Sequence, residues 1–247
     1  MQRNAMADDK WYDAEVIKVE DVNSAVKRYW LRMNNLERFD FKAGQFITLD
    51  LPIHEKKNKR WRSYSIASPP DGSNVVELVI VLVEDGAGTP YIWEHFKPGH
   101  VAQAKGPLGK FCLPEQISRD VCFVCTGTGV APFRSMLYDL QKTGQDYKNI
   151  YLVFGCRTTP DVLYRDELLQ LQKEMPGFNY IYCCSREDVS GESSRKGYVH
   201  PVYEELFADK RPADFYLCGW KNMLDEAKKR LGEMGYGREH VHVEVYG

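Results

Sequence analysis

The chain of 247 residues is predicted to fold as an antiparallel β-barrel followed by an α/β domain on a parallel sheet. Two rhythms and the junction between them predict this. Up to about residue 113, short β-type runs are separated by glycine- and proline-bearing turns, with almost no helical periodicity. From Asp120 onward, each β run precedes an amphipathic helical stretch, the pattern of helices covering a parallel sheet. LPEQISR, residues 113–119, carries a proline and no strand-like run, so the domains are expected at residues 12–113 and 119–247.

In the first half the predicted strands are Tyr12–Val19, Tyr29–Met33, Gln45–Asp50, Arg62–Ala67, Val75–Val83 and Gly99–Lys105, with one short helix over Thr89–Phe96. In the second half VCFVC precedes a helix over Pro132–Leu140, and YLVF precedes one over Val162–Glu174. NYIYCC leads to Val199–Phe207, FYLC to Asn222–Met234, and HVHVEVY reads as a closing strand. Ligands of such sheets bind beyond the carboxyl ends of the strands, which directs attention to the residues just after each run.

Composition narrows the function classes. Apolar residues make up 43% and charged residues 28%, ordinary for a globular enzyme, and the formal net charge of -2 gives no global reason to expect a nucleic-acid partner. The longest apolar stretch, Val75–Val83, is interrupted by Glu77 and is far shorter than the roughly 20 residues that span a bilayer. No membrane segment or secretion signal is expected, and the cytoplasm is the default location. Lys56, Lys57, Lys59, Arg60 and Arg62 concentrate positive charge, either as a solvated loop or as a docking site for an acidic partner or a cofactor phosphate. The seven cysteines form no disulfide framework, so reduced thiols are expected. Cys122 and Cys125 are spaced like a metal pair, but on a strand they point to opposite faces. With no histidine ligand run either, no metal site is expected, and redox chemistry falls to an organic cofactor.

Several motifs stand where chemistry could be carried. CTGTGVAPFRSM follows the strand ending at Cys125; Gly127, Thr128 and Gly129 allow a tight turn, and Pro132 suits a first helical turn. The turn is either structural or a place where a dinucleotide lies against backbone N–H groups. In RSYSIAS, Arg62 offers a cationic fork, Tyr64 a flat face and Ser65 a short hydroxyl. The same strand is also compatible with one solvated arginine and one core-facing tyrosine. In EDGAGTPYIW, Gly86 and Gly88 bring N–H groups toward an anion, and Thr89 can cap the helix or contact phosphate. Cys218 ends a strand at the ligand side, where an inert packing role competes with a nucleophilic one.

RSYSIAS, GPLGKF, GTGVAPFRS, CGWKNM and VEVY occur in this order, and together they resemble the ferredoxin–NADP reductase superfamily over essentially Tyr12–Gly247. The resemblance implies non-covalent FAD in the barrel and a nicotinamide dinucleotide in the α/β domain. By the same resemblance Arg62 contacts the flavin pyrophosphate, Tyr64 packs on the isoalloxazine, Ser65 lies near flavin N5, and Gly88 and Thr89 help hold the pyrophosphate. Gly106, Pro107 and Gly109 match a structural turn. Cys218 would shape the approach of nicotinamide without a covalent intermediate, Tyr246 would shield the flavin face, and Glu244 would organise the site and proton exchange. Ser185, Arg186, Lys196 and Tyr198 match residues that enclose the 2′-phosphate of NADPH, with Glu187 and Asp188 opposing it, so NADPH is the expected donor and NADH a possible one. The implied activity is electron transfer between NADPH and a separate one-electron protein, ferredoxin or flavodoxin. The alternatives are the reductase component of an oxygenase or cytochrome system, and a noncatalytic flavin-binding regulatory subunit.

Overall fold

A computed structural model describes residues 10–246. It separates into two compact units, one running to Cys112 and taking in Arg134–Asp139, the other made of Leu113–Phe133 and the chain from Leu140.

The first unit is the predicted antiparallel sheet. Its strands are β1 (Trp11–Asn23), β2 (Val26–Met33), β3 (Phe46–Asp50), β4 (Trp61–Ser65), β5 (Val75–Val81) and β6 (Val101–Leu108), with helix α1 (Gly88–His95) between the last two. They lie in the order β4-β3-β6-β1-β2-β5, every pairing antiparallel. Alternate side chains enter the core: Tyr29, Leu31 and Met33 of β2 are buried, as are Ala14 and Val16 of β1. This period-two burial is what the alternating sequence dictates, and each large apolar side chain so placed contributes roughly 1.5–3 kcal/mol. Beyond β4, the Ala67 N–H donates to the Glu77 carbonyl of β5 at 2.8 Å, joining the two ends of the sheet into a barrel.

Glu77, read above only as an interruption in an apolar run, is buried, and its carboxylate accepts from Arg28 Nε at 2.7 Å and from Arg134 Nη1 at 3.1 Å. Arg134 Nη1 also donates to the Ala67 carbonyl, and the buried Ser135 hydroxyl donates to the Ser68 carbonyl at 2.7 Å. A buried carboxylate persists only when it is paired in this way. The network fixes the end of the RSYSIAS segment.

The second unit is a parallel sheet of β7 (Asp120–Thr126), β8 (Ile150–Cys156), β9 (Phe178–Cys184), β10 (Ser194–Lys196), β11 (Ala213–Trp220) and β12 (Val241–Tyr246), in the order β10-β9-β8-β7-β11-β12. Its helices are α2 (Ala131–Thr143), α3 (Arg165–Glu174), α4 (Val199–Leu206) and α5 (Lys221–Met234). β7 is buried from Asp120 to Cys125, as a strand covered on both faces must be. The chain winds outward from β7 to β10, then returns to place β11 on the other side of β7, so the switch point lies between the carboxyl ends of β7 and β11.

One local expectation is corrected. The run from Val162 does not start a helix; Tyr164 takes φ 56°, and α3 begins at Arg165. Ser194–Lys196 pairs with Tyr182–Cys184 as edge strand β10, an element outside the runs read from the sequence. Among the described residues no helix is long and apolar enough to cross a membrane, and no three potential ligands gather around a metal position.

Candidate functional site

In the first unit, β4 carries Arg62, Tyr64 and Ser65 opposite Leu49, Ile47 and Phe46 of β3. The half-buried Arg62 is held by bonds from Nη1 to the Lys59 and Trp61 carbonyls, at 3.1 and 2.8 Å. Its Nε and Nη2 donors are not used in any described bond, so a fixed fork remains for an anion. Gly88 makes room for it: a Cβ there would fall 3.0 Å from Cγ and Nε of Arg62. The N–H groups of Gly88 and Thr89 open α1, where no intrahelical acceptor exists. An uncapped helix start beside an anchored guanidinium suits a pyrophosphate.

Thr89 does not cap α1. The cap position is Ala87, and the Thr89 hydroxyl instead donates to the Val83 carbonyl and accepts from the Val83 N–H at 2.8 Å. That exchange closes the turn from Val83 and uses the hydroxyl proton, so any phosphate contact from Thr89 falls to its backbone N–H. Tyr64 packs against the barrel core, and burial pushes its phenol well above the usual range, keeping it neutral. Ser65 is buried at the end of the strand.

The basic loop is only partly free. Lys57–Lys59 forms a single 3₁₀ turn with exposed lysines, whereas Arg60 is paired with Asp50 at 2.7 Å. Beside it Trp61 is 42% exposed, its ring 5.6 Å from that of Trp11.

In the second unit, the switch point is built from backbone in close contact. Gly127–Val130 forms a 3₁₀ turn leading into α2, with Thr128 and Gly129 buried and Pro132 in the first helical turn. A Cβ on Gly129 would lie 2.4 Å from the Cys218 carbonyl oxygen and 3.1 Å from Gly219 Cα, so only glycine lets the turn after β7 touch the end of β11. Immediately before Gly127, the buried Thr126 hydroxyl has no hydrogen-bond partner among the described residues. An orphaned polar atom at a strand end, beside an uncapped helix start, fits a hydrogen-bonding ligand such as a dinucleotide. Sequence reasoning passed over Thr126; its place between the last buried strand residue and the first turn glycine is the signal that would have found it.

Cys218 is fully buried and pairs in register with Cys125 on one side and Glu244 on the other. Burial, reinforced by the Glu244 carboxylate and Cys125, raises its thiol far above the usual range, against the opposing effect of a bond with Tyr246. The thiol is therefore protonated and suited to packing, not nucleophilic attack. Tyr246 stands opposite Trp220 on β12.

The segment after β9 has a different character. Ser185 donates from both its N–H and its hydroxyl to the Cys156 carbonyl, each at 3.1 Å. Arg186 is exposed and anchored by its N–H to the Arg157 carbonyl at 2.9 Å. Lys196 is ion-paired with Asp188, and the Glu187 carboxylate accepts the Thr159 N–H at 2.7 Å. Tyr198 is 72% exposed. Thus the two acidic residues expected to oppose a phosphate are each engaged elsewhere, one with Lys196 itself.

Comparison with known proteins places a family on each half of the chain. Residues 13–112 match the family Oxidoreductase FAD-binding domain, and residues 123–229 match Oxidoreductase NAD-binding domain. Ferredoxin–NADP reductase B of Sorangium cellulosum strain So ce56 is 35% identical over 242 residues, covering 95% of this chain and 97% of that protein. The chain belongs to the ferredoxin–NADP reductase superfamily. Phenol hydroxylase P5 protein of Acinetobacter pittii strain PHEA-2 is 30% identical across 95% of this chain, which spans 65% of that relative. Among solved structures, the Amycolatopsis cytochrome P450 reductase GcoB superposes with a TM-score of 0.84 at 25% identity, over 96% of this chain and 69% of that one. A Neisseria gonorrhoeae ferredoxin NADP+ reductase with bound FAD and NADP shares the fold, with a TM-score of 0.79 at 22% identity over 96% and 99% of the two chains. This member of the superfamily is a flavin-dependent NAD(P)H oxidoreductase that uses FAD and passes electrons to a partner protein.

Proposed function

We propose that the enzyme takes reducing equivalents from NADPH and delivers them singly to a ferredoxin or flavodoxin. The observation that carries this reading is the match to a ferredoxin–NADP reductase over nearly the full length of both chains. FAD, when bound, would supply the hydride and single-electron chemistry. The protein's own residues supply binding and orientation. Arg62 and the N–H groups opening α1 hold the FAD pyrophosphate, Tyr64 gives the ring system a flat neutral face, and Ser65 places a hydroxyl beside the reacting end. In the second unit the Thr126 hydroxyl and the turn Gly127–Gly129 receive the dinucleotide, with Pro132 starting the helix behind it. Cys218 shapes the nicotinamide end without forming a bond to it. At the end of β12, Tyr246 would serve as a shielding aromatic and Glu244 as a group for proton exchange. Ser185, Arg186, Lys196 and Tyr198 recognise the 2′-phosphate, which is the chemical difference between NADPH and NADH.

Similarity to phenol hydroxylase P5 protein favours a second reading, in which the acceptor belongs to an oxygenase. Anaerobic stopped-flow reduction of the yellow enzyme with NADPH and NADH, followed by mixing with ferredoxin, flavodoxin or an oxygenase component, tests both. Faster flavin reduction by NADPH and reoxidation by ferredoxin or flavodoxin are expected. Equal or better kcat/KM with NADH would remove the phosphate pocket while leaving the reductase activity intact.

A further inference from the structure

Cys156 ends β8 and Cys184 ends β9, in register across two adjacent parallel strands. Side chains opposite one another on such strands leave the same face, and here the two sulfurs are 3.6 Å apart. Neighbouring strands lie about 4.8 Å apart, inside the Cα separation that a disulfide accepts, so the bond requires mainly side-chain rotation and a small approach of the strand ends. Cys156 is half-buried, whereas Cys184 is buried. An oxidant therefore meets Cys156 first, with Cys184 positioned behind it to resolve the product.

The pair lies under the segment assigned above to the NADPH phosphate. Cys156 supplies the carbonyl that accepts both Ser185 bonds. The Cys184 carbonyl accepts the Gly197 N–H at 2.9 Å, and Cys184 pairs in register with Lys196. Ser185 and Lys196 are thus attached to the backbone of the two cysteines, and drawing the sulfurs from 3.6 Å to the roughly 2.05 Å of a disulfide moves both supports. The other buried thiols are placed differently: Cys122 and Cys125 sit at separate positions along β7, Cys183 leaves the opposite face of β9 from its neighbour Cys184, and Cys218 lies beside Tyr246.

We propose that Cys156 and Cys184 form a reversible dithiol switch, closed by a hydroperoxide, that weakens use of NADPH by displacing Ser185 and Lys196. In the first step the Cys156 thiolate attacks the hydroperoxide, forming an S–O bond as the O–O bond breaks. The leaving oxygen departs with the electron pair and takes a proton, becoming water when the oxidant is hydrogen peroxide. In the second, the Cys184 sulfur attacks the Cys156 sulfenic acid, forming the S–S bond and releasing the second oxygen as water with the Cys184 proton. Two thiols lose two electrons in total, and one peroxide is reduced to two waters. Burial and the contact with Cys184 push the Cys156 thiol above its ordinary range, which makes the first step slow. The switch answers sustained oxidant, not a brief pulse.

The part concerning donor choice rests on the phosphate reading given above, and the test separates the two. Purified holoenzyme is incubated with hydrogen peroxide, and peptide mass spectrometry is paired with kcat/KM for NADPH and NADH. The expected result is a Cys156–Cys184 linked peptide, a fall of at least fivefold for NADPH with NADH changed by less than twofold, and full reversal by dithiothreitol. Cys156→Ser and Cys184→Ser should each abolish the peroxide response while leaving the untreated rates in place. Absence of the linked peptide overturns the proposal, as does a linked enzyme whose two donors are unchanged or fall together. If the reduced enzyme shows no preference for NADPH, it is the phosphate reading that fails, and the linked peptide then registers the disulfide on its own.

Discussion

The carboxyl edge of the parallel sheet holds two regions built on opposite plans. At the switch point the turn Thr126–Gly129 meets Cys218 and Gly219 backbone to backbone, so closely that one added methyl group would strike a carbonyl oxygen at 2.4 Å. After β9, Arg186, Lys196 and Tyr198 are exposed, and Lys196 already has a partner in Asp188. The first unit repeats the contrast, with Gly88 moulded to Arg62 while Lys57 and Lys59 face solvent. Under the proposed reading, close packing fixes where a cofactor can lie, and exposed charge selects which version of a donor or partner is accepted. Changes in the packed regions should accordingly be larger and less selective than changes in the charged ones.

Gly129→Ala should have the largest effect. Its Cβ meets backbone, which cannot rotate away, so stability should fall by about 3 kcal/mol and flavin reduction by either donor by about two orders of magnitude. Thermal denaturation and stopped-flow reduction measure the two effects, and a near-native rate would show that the turn can yield. Arg62→Ala comes next. Loss of a charge-assisted contact of roughly 1.5–3 kcal/mol should weaken FAD retention about 10- to 150-fold in a folded protein, read by fluorescence during cofactor titration. Unchanged affinity would remove Arg62 from the FAD site.

Arg186→Ala should lower kcat/KM for NADPH by about tenfold and alter NADH little, because only the phosphate loses a contact. Equal losses would assign Arg186 to the fold of the loop. The smallest effect is expected for Lys57→Glu with Lys59→Glu. Reoxidation by an acidic acceptor should slow by less than about tenfold at low salt and recover as salt screens the charge, with flavin reduction unaffected. A salt-independent result would return these lysines to solubility alone.

The pH dependence of Cys218 sharpens the packed side of the comparison. Burial favours its neutral form, so the folded enzyme should show a flat, slow rate of iodoacetamide labelling at this residue between about pH 6 and 9. Unfolding should restore the rise in reactivity with pH expected of an ordinary thiol. Peptide mass spectrometry after timed labelling reads both states.

Much of the architecture was legible because burial writes its period into the sequence. The alternation in β2 and the continuous apolar run of β7 distinguish a half-covered strand from one covered on both faces. Where one side chain had two available partners, the sequence was silent. Thr89 stands where a helix cap would stand, yet its hydroxyl is engaged by Val83, a choice made by the path of the turn. Glu77 looked like a flaw in an apolar strand because its partners Arg28 and Arg134 lie far away along the chain. The pairing of Ser194–Lys196 with β9 follows from a sheet edge that needs a neighbour, not from the strand propensity of a serine-rich stretch. Cys156 and Cys184 meet only because β8 and β9 share a register, and register is set by the whole sheet.

The strand order also bears on how the chain is made. β7, which begins at Asp120, receives one of its two neighbours only when β11, beginning at Ala213, has been synthesised. During translation the apolar sequence DVCFVCT therefore waits with one edge unpaired while β8, β9 and β10 emerge. Non-local pairing of this kind slows folding and prolongs the exposure of a strand edge prone to aggregation. The nascent enzyme is consequently in greatest need of chaperone protection between the emergence of β7 and that of β11, and the turn at Gly129 reaches its final surroundings among the last parts of the unit.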